Sequence, residues 1–259
     1  MSSFEVISSH LAKRLVVAGM PQSGTTALYN IISFIQQLHQ EMVSASLWYG
    51  LATLRAIEKQ ILPGDRADMT ADQAYRFNID TLEKRIKQGH HVLIKEHHCD
   101  EFLSSWADLI FVGKRDIRDS IASRRRRGKN FNPKNRWEDL DSPLEDIERW
   151  CNYLINDCFL DWKKKSYVFC YEEYKKDPQK VIDEIHVILR GTPCQGEDMH
   201  IILDGVNNLH RYDPKKTFFS ENKITAGGKV NNFSNDLTSE ETAFIEGNYP
   251  EWIVNYEDH

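Results

Sequence analysis

No stretch of the 259-residue chain is apolar over the roughly 20 residues that a membrane-spanning helix needs. The N-terminal apolar run, Leu15 to Gly19, is short and follows no signal-like region, which points to the cytoplasm and away from a membrane partner. Neither a linker nor an internal repeat is visible, so residues 1–259 read as a single domain. The five cysteines (Cys99, Cys151, Cys158, Cys170 and Cys194) are irregularly spaced and read as free thiols of a reducing compartment, not as a disulfide framework. His97, His98 and Cys99 have no second ligand cluster at metal-site spacing, so no metal is expected. An excess of positive charge is also missing. The net charge of −6 and pI near 5.9 give no support to a nucleic-acid partner. The exception, Arg124 to Arg127, reads as a solvated helix end before Gly128, although one arginine could face a ligand because the run follows Ser123. A hydrophobic content of 41% is enough for one sizeable core.

Against these absences stands the segment Leu15-Val16-Val17-Ala18-Gly19-Met20-Pro21-Gln22-Ser23-Gly24-Thr25-Thr26, an apolar run that ends in a Gly, Ser and Thr loop with an amphipathic stretch behind it. A strand that feeds a helix in this way leaves the first helical N–H groups without partners, and with the helix dipole they attract an anion. Gly24 lets the backbone approach closely, while Thr25 and Thr26 add hydroxyl donors. From Gly19 the loop has the spacing of a nucleotide P-loop, but Thr25 stands where that motif has lysine, which argues against ATP or GTP. A second apolar strand, Leu109 to Gly113, leads to Arg115 and to a helix that Asp116 can cap, with Ile117 and Ile121 buried and Ser123 about two turns in. A guanidinium and a hydroxyl so placed can hold a second phosphate. Two phosphate sites suggest a bisphosphorylated nucleotide.

Helical stripes at Leu28, Ile31, Ile35 and Leu38 and at Tyr75, Ile79, Leu82 and Ile86 alternate with strands near 15–19, 91–95, 109–113 and 166–170. Thr70 with Gln73 and Ser142 with Glu145 are capping-box signals, and Asp177-Pro178 opens a helix with Val181, Ile185 and Ile188 inward and Gly191 past its end. The expected fold class is α/β, a central parallel sheet flanked by helices. Val92 to Lys95 runs straight into Glu96, His97, His98 and Cys99, and at the carboxyl end of a strand in an open parallel sheet such side chains face the ligand crevice.

On these residues the chain resembles the sulfotransferases that use 3′-phosphoadenosine 5′-phosphosulfate (PAPS). Pro21 to Thr26, and with them Gln22, Ser23, Gly24 and Thr25, are similar to the family's 5′-phosphosulfate loop, and Arg115 with Ser123 to its 3′-phosphate motif. Gly228, Lys229 and the residues to Asn235 resemble the late glycine-containing segment that closes over the 3′-phosphate, with Asn231 and Phe233 in place of the family's glycine and tryptophan, while Lys223 or Lys229 could supply positive charge where Ala226 and Gly227 lack it. Tyr171-Glu172-Glu173 resembles the step whose tyrosine lies near the adenine. The resemblance runs from about Leu15 to Phe233 and implies a P-loop-like sulfotransferase fold. It further implies His97 as the base that takes the acceptor's proton and Lys95 as the cation beside the sulfonate, with His98 the rival base and Glu96 a helper or a bystander. The departure at Gln22 leaves the loop without its usual cation, so Lys95 or another basic residue must face the charge on the leaving oxygen.

The expected reaction is sulfuryl transfer from PAPS to a hydroxyl, or to an amine, of a small-molecule acceptor such as a bacterial alkaloid or another natural product, with release of 3′,5′-adenosine bisphosphate (PAP). The acceptor pocket is expected from Trp48, Tyr49 and Leu51, the Lys129 to Trp137 loop and the Asn207 to Ser220 region. The oligomeric state stays open. Two rivals remain: a P-loop small-molecule kinase, supported by the Gly19 to Thr26 spacing, and a nucleotide-binding regulator with weak chemistry, motivated by Gln22.

Overall fold

The computed structural model describes residues 12–39, 43–48, 79–80, 82–97, 99, 101–131, 143–162, 164–208 and 230–255. Among them five strands form one sheet in the order β2-β3-β1-β4-β5, with each neighbouring pair parallel. They are β1 (Arg14–Gly19), β2 (Val43–Trp48), β3 (His91–Lys95), β4 (Leu109–Lys114) and β5 (Tyr167–Cys170). The three central strands are apolar along their length because both faces are covered: Val16, Val17, Leu93, Ile94, Phe111 and Val112 are all fully buried. Leu15, Val17, Leu93 and Phe111 pack on one face against α1 (Thr25–Leu38), α5 (Tyr171–Lys176), α6 (Pro178–Arg190) and α7 (Gly196–Asn207). Val16, Ala18, Ile94 and Val112 pack on the other against Leu82 and Ile86, Leu103 of α2 (Glu101–Trp106), and Trp162.

A third apolar cluster joins Met20, just past β1, and Ile117 and Ile121 of α3 (Ile117–Phe131) to Ile147 and Cys151 of α4 (Pro143–Asn152), Leu154 of the π-helix Tyr153–Leu160, and Ile245 of α8 (Ser239–Asn248). The strands' carboxyl ends therefore open into a region walled by α3, α4 and α8. At the centre of the sheet β1 and β4 lie side by side, and the chain leaves β1 toward β2 on one side and β4 toward β5 on the other, so the crevice between their carboxyl ends is the usual place for a ligand. No described helix is long and apolar enough to cross a membrane.

The four expected strands are present to within a residue, and β2 is an addition at the sheet edge. Leu28, Ile31 and Ile35 are buried as their stripe predicts, as are Ile79, Leu82 and Ile86. Asp177 caps α6 by accepting the Lys180 N–H at 3.0 Å, and Gly191 closes it at φ 75°. Thr70, Gln73, Tyr75 and Ser142 lie outside the described residues, as do Tyr49, Leu51, residues 132–137 and residues 209–220.

The arginine run departs from expectation. Helix α3 continues through Gly128 to Phe131, and Arg124, Arg125 and Arg126 are not a solvated end. Arg125 forks onto the Glu241 carboxylate (2.9 and 2.7 Å) and the Asp236 carbonyl (2.8 Å), Arg126 pairs with Asp236 at 2.8 Å, and the Arg124 guanidinium lies 3.5 Å from the centre of the Trp150 ring. The reason is that α4 and the C-terminal region supply carboxylates and a ring face at the matching turns of α3.

Candidate active site

The loop after β1 is shaped by two left-handed residues, Gln22 at φ 71° and Gly24 at φ 76°. Ser23 folds back on it, donating from Oγ to the Met20 carbonyl at 2.6 Å. Gly24 takes the N-cap position of α1 with no side-chain cap, and the first helical bond is Leu28 N to Gly24 O. The amides of Thr25, Thr26 and Ala27 precede that bond, so they and the positive end of the dipole face the crevice. Two glycines make the close packing possible. A Cβ on Gly24 would strike the Tyr171 ring, and one on Gly113, in β4, would come within 2.7 Å of Ser23 Oγ and 2.8 Å of Thr25 Cγ2.

Arg115 follows β4 and is 3% exposed. Its Nη1 donates to the Gln22 carbonyl at 3.0 Å, its Nη2 lies 3.5 Å from Asp119 Oδ2, its Nε lies 3.9 Å from Glu172 Oε1, and its guanidinium carbon is 4.8 Å from the Tyr171 ring centre. Ser123, two turns into α3, donates from Oγ to Gln22 Oε1 at 3.4 Å. Gln22 thus turns toward the second motif, carbonyl to the arginine and amide oxygen to the serine. Asp116 caps α3 through the Arg118 N–H at 2.8 Å, as the sequence suggested. Burial pushes the Glu172 carboxyl and the Tyr171 hydroxyl above their ordinary pKa values, with Arg115 opposing both.

On the other side of β1, Lys95 is 2% exposed and donates from Nζ to Thr26 Oγ1 at 2.8 Å. That bond uses an acceptor pair of the hydroxyl and leaves its proton to face a ligand. His97 Nδ1 lies 2.8 Å from the Gly19 carbonyl, which can only accept, so Nδ1 carries the proton. In the neutral ring Nε2 is then the basic nitrogen, the form required for proton abstraction. Glu96 Oε1 accepts the His97 N–H at 2.8 Å, while its own N–H donates to Val17 O at 2.8 Å.

Gln22, Ser23, Gly24, Thr25, Thr26, Lys95, His97, Arg115, Ser123 and Tyr171 therefore form one connected set at the carboxyl ends of β1, β3, β4 and β5. His98, Gly228 and Lys229 lie outside the described residues. Among the described residues no group of three or more His, Cys, Asp or Glu is arranged to hold a metal ion.

A family model described as the sulfotransferase domain matches residues 12–249. The chain belongs to the sulfotransferase family. By fold it is similar to mouse sulfotransferase SULT7A1 complexed with PAP, at 17% identity and a TM-score of 0.57, covering 100% of this chain and 91% of that one. Retinol dehydratase in a complex with retinol and PAP is a more distant likeness, at 16% identity and a TM-score of 0.46, covering 92% of this chain and 79% of that one. No curated protein sequence matches the chain.

In this sulfotransferase, three residues to which the sequence alone assigned no role in the site also shape it. Gly113 gives the loop its room; Glu172 accepts the Asp116 N–H at 3.0 Å and flanks Arg115; and Asp119 lies under Arg115. The spacing Arg115 to Asp119, i to i+4 on a helix, was the available signal for the last.

Proposed function

We propose that this sulfotransferase transfers the sulfuryl group of PAPS to a hydroxyl, or to an amine, of a small-molecule acceptor, releasing PAP and a proton. The observation that carries the reading is Gln22, whose contacts to Arg115 and Ser123 join the loop to the second phosphate motif. A nucleotide with phosphates at both 5′ and 3′ positions spans such a pair of sites, and the fold neighbour complexed with PAP supports the same donor. The α1 amides, Thr25 and Thr26 would hold the 5′-phosphosulfate, Arg115 and Ser123 the 3′-phosphate, and Tyr171 the adenine side, with Gly228 and Lys229 closing on the 3′-phosphate. His97 takes the acceptor's proton on Nε2 as the freed electron pair attacks sulfur. Lys95 faces the negative charge that gathers on the oxygen leaving sulfur, a duty it carries without a cation at Gln22. Protein donors thereby supply the charge that magnesium supplies in kinases. Five free cysteines support a reducing, cytoplasmic setting, and one domain over residues 1–259 is the simplest arrangement consistent with a family match to 12–249.

Calorimetric titration with PAP, beside ATP with magnesium, tests the donor. Binding of PAP at micromolar affinity or tighter, weakened in Arg115→Ala, is expected; preference for ATP would favour the kinase reading. With PAPS and a panel of hydroxylated and amino metabolites, alkaloids included, His97→Ala should keep PAP affinity and lose about 10²- to 10⁴-fold in kcat. Equal turnover in both proteins would remove His97 from the base role.

A further inference from the structure

The helix that follows Arg115 and carries Ser123 also holds the segment Asn231–Asp236, and the residue that joins the two is Asp119. It is fully buried. Its Oδ2 accepts the backbone N–H of Asn231 at 2.8 Å and its Oδ1 that of Asn232 at 2.9 Å, across 112 and 113 residues of chain. Asn231 is left-handed at φ 53°, an uncommon backbone state that this pair of bonds holds in place. From the neighbouring position the Arg118 guanidinium lies 4.3 Å from the Phe233 ring centre, and further along the helix Arg125 and Arg126 grip Asp236.

A carboxylate 3.5 Å from a phosphate-binding guanidinium opposes anion binding unless its charge is shared elsewhere. Here both oxygens receive charge-assisted bonds from backbone amides, which draw the negative charge toward the segment and away from the ligand side of Arg115. We propose that Asp119 is a positioning residue for the 3′-phosphate: it orients Arg115 from below and, through the same two oxygens, fixes Asn231 and Asn232 against that arginine, so that the phosphate and the segment stabilise one another. The inference rests on the reading of Arg115 and Ser123 as the 3′-phosphate site.

The test compares PAP with 5′-AMP, which lacks the 3′-phosphate, on wild type and Asp119→Asn. The amide substitution puts an NH₂ against one of the two backbone N–H groups at nearly constant volume. Calorimetry should show the PAP preference over 5′-AMP falling at least tenfold in the variant while 5′-AMP affinity stays within about threefold. A general loss of structure would weaken both nucleotides together, and a preserved ratio would overturn the proposal. Hydrogen exchange on unaltered protein reads the same link if the variant folds poorly. The Asn231 and Asn232 amides should exchange at least tenfold more slowly with saturating PAP than with saturating 5′-AMP, and equal rates would overturn it. If wild type binds both nucleotides alike, the assignment of the 3′-phosphate site itself fails. If it prefers PAP but the variant keeps that preference, only the role of Asp119 fails.

Discussion

Gln22 holds a left-handed backbone conformation without being glycine, and its side chain points to Ser123 while its carbonyl takes Arg115. A lysine at this position would lose the serine contact and bring an ammonium into the loop beside Lys95. Losing one donor to a developing oxyanion typically costs about 10²- to 10³-fold in rate, so gaining one should act in the other direction. Gln22→Lys is expected to raise kcat about tenfold or more; an unchanged kcat would mean that Lys95 on Thr26 already supplies the charge. Gly113 makes the opposite case, since any side chain there meets Ser23 and Thr25. Gly113→Ala should cost about 1–3 kcal/mol by overpacking, visible as a lower denaturation midpoint, and should weaken PAP binding through the displaced loop. A variant with wild-type stability and affinity would show that the loop yields freely.

Among the elements, the apolar strands β1, β3 and β4 were legible because strands buried on both faces read as continuous apolar runs, and α6 because Asp177, Pro178 and Gly191 mark both its ends. Among the described residues the edge strand β2 pairs only with β3, and Ser44, Ala45 and Ser46 interrupt the apolar run of Val43–Trp48, so its local signal was weak. The catalytic candidates could be read where a motif is contiguous, as at Lys95 to His97 and Arg115 to Ser123. What could not be read is long-range pairing. Nothing near Arg125 in sequence announces Glu241, 116 residues away, or near Asp119 announces Asn231. The Arg125 and Glu241 pair joins α3 to α8 with both side chains largely buried, and Arg125 first, then the Thr238 cap, hold the Glu241 carboxyl below its ordinary range. Glu241→Gln removes one charged partner from that fork and should destabilise by about 1–3 kcal/mol. For a chain of this size that is a fall in Tm of roughly 2–4 °C per kcal/mol, and an unchanged Tm would show the pair to be dispensable to the C-terminal region's docking.

At the scale of the whole molecule, one acid-sensitive contact lies at the end of the sheet opposite the crevice, where α1, α6 and α7 meet. His186 Nδ1 lies 2.6 Å from the Thr192 carbonyl and must donate to it, so in the neutral ring its Nε2 accepts from His39 Nε2 at 3.1 Å. A proton added to His39 would place a cation near Arg190, with Asp198 compensating only in part. Burial first, then Arg190 and His186, lowers the His39 pKa below its ordinary 6.5. The unfolded chain therefore takes up a proton at a higher pH than the folded protein does. The stability linked to His39 is fully present above pH 6.5 and is lost as the pH falls through that value toward the folded pKa. Tm measured from pH 7.5 down to 5.5 should decline in wild type and decline less steeply in His39→Phe, whose ring fills the site without a titrating nitrogen. Parallel curves would place the acid sensitivity elsewhere. Because the pair lies away from Lys95 and His97, PAP affinity measured on the still-folded fraction at pH 6 should be the same in both proteins, which separates loss of fold from loss of the site.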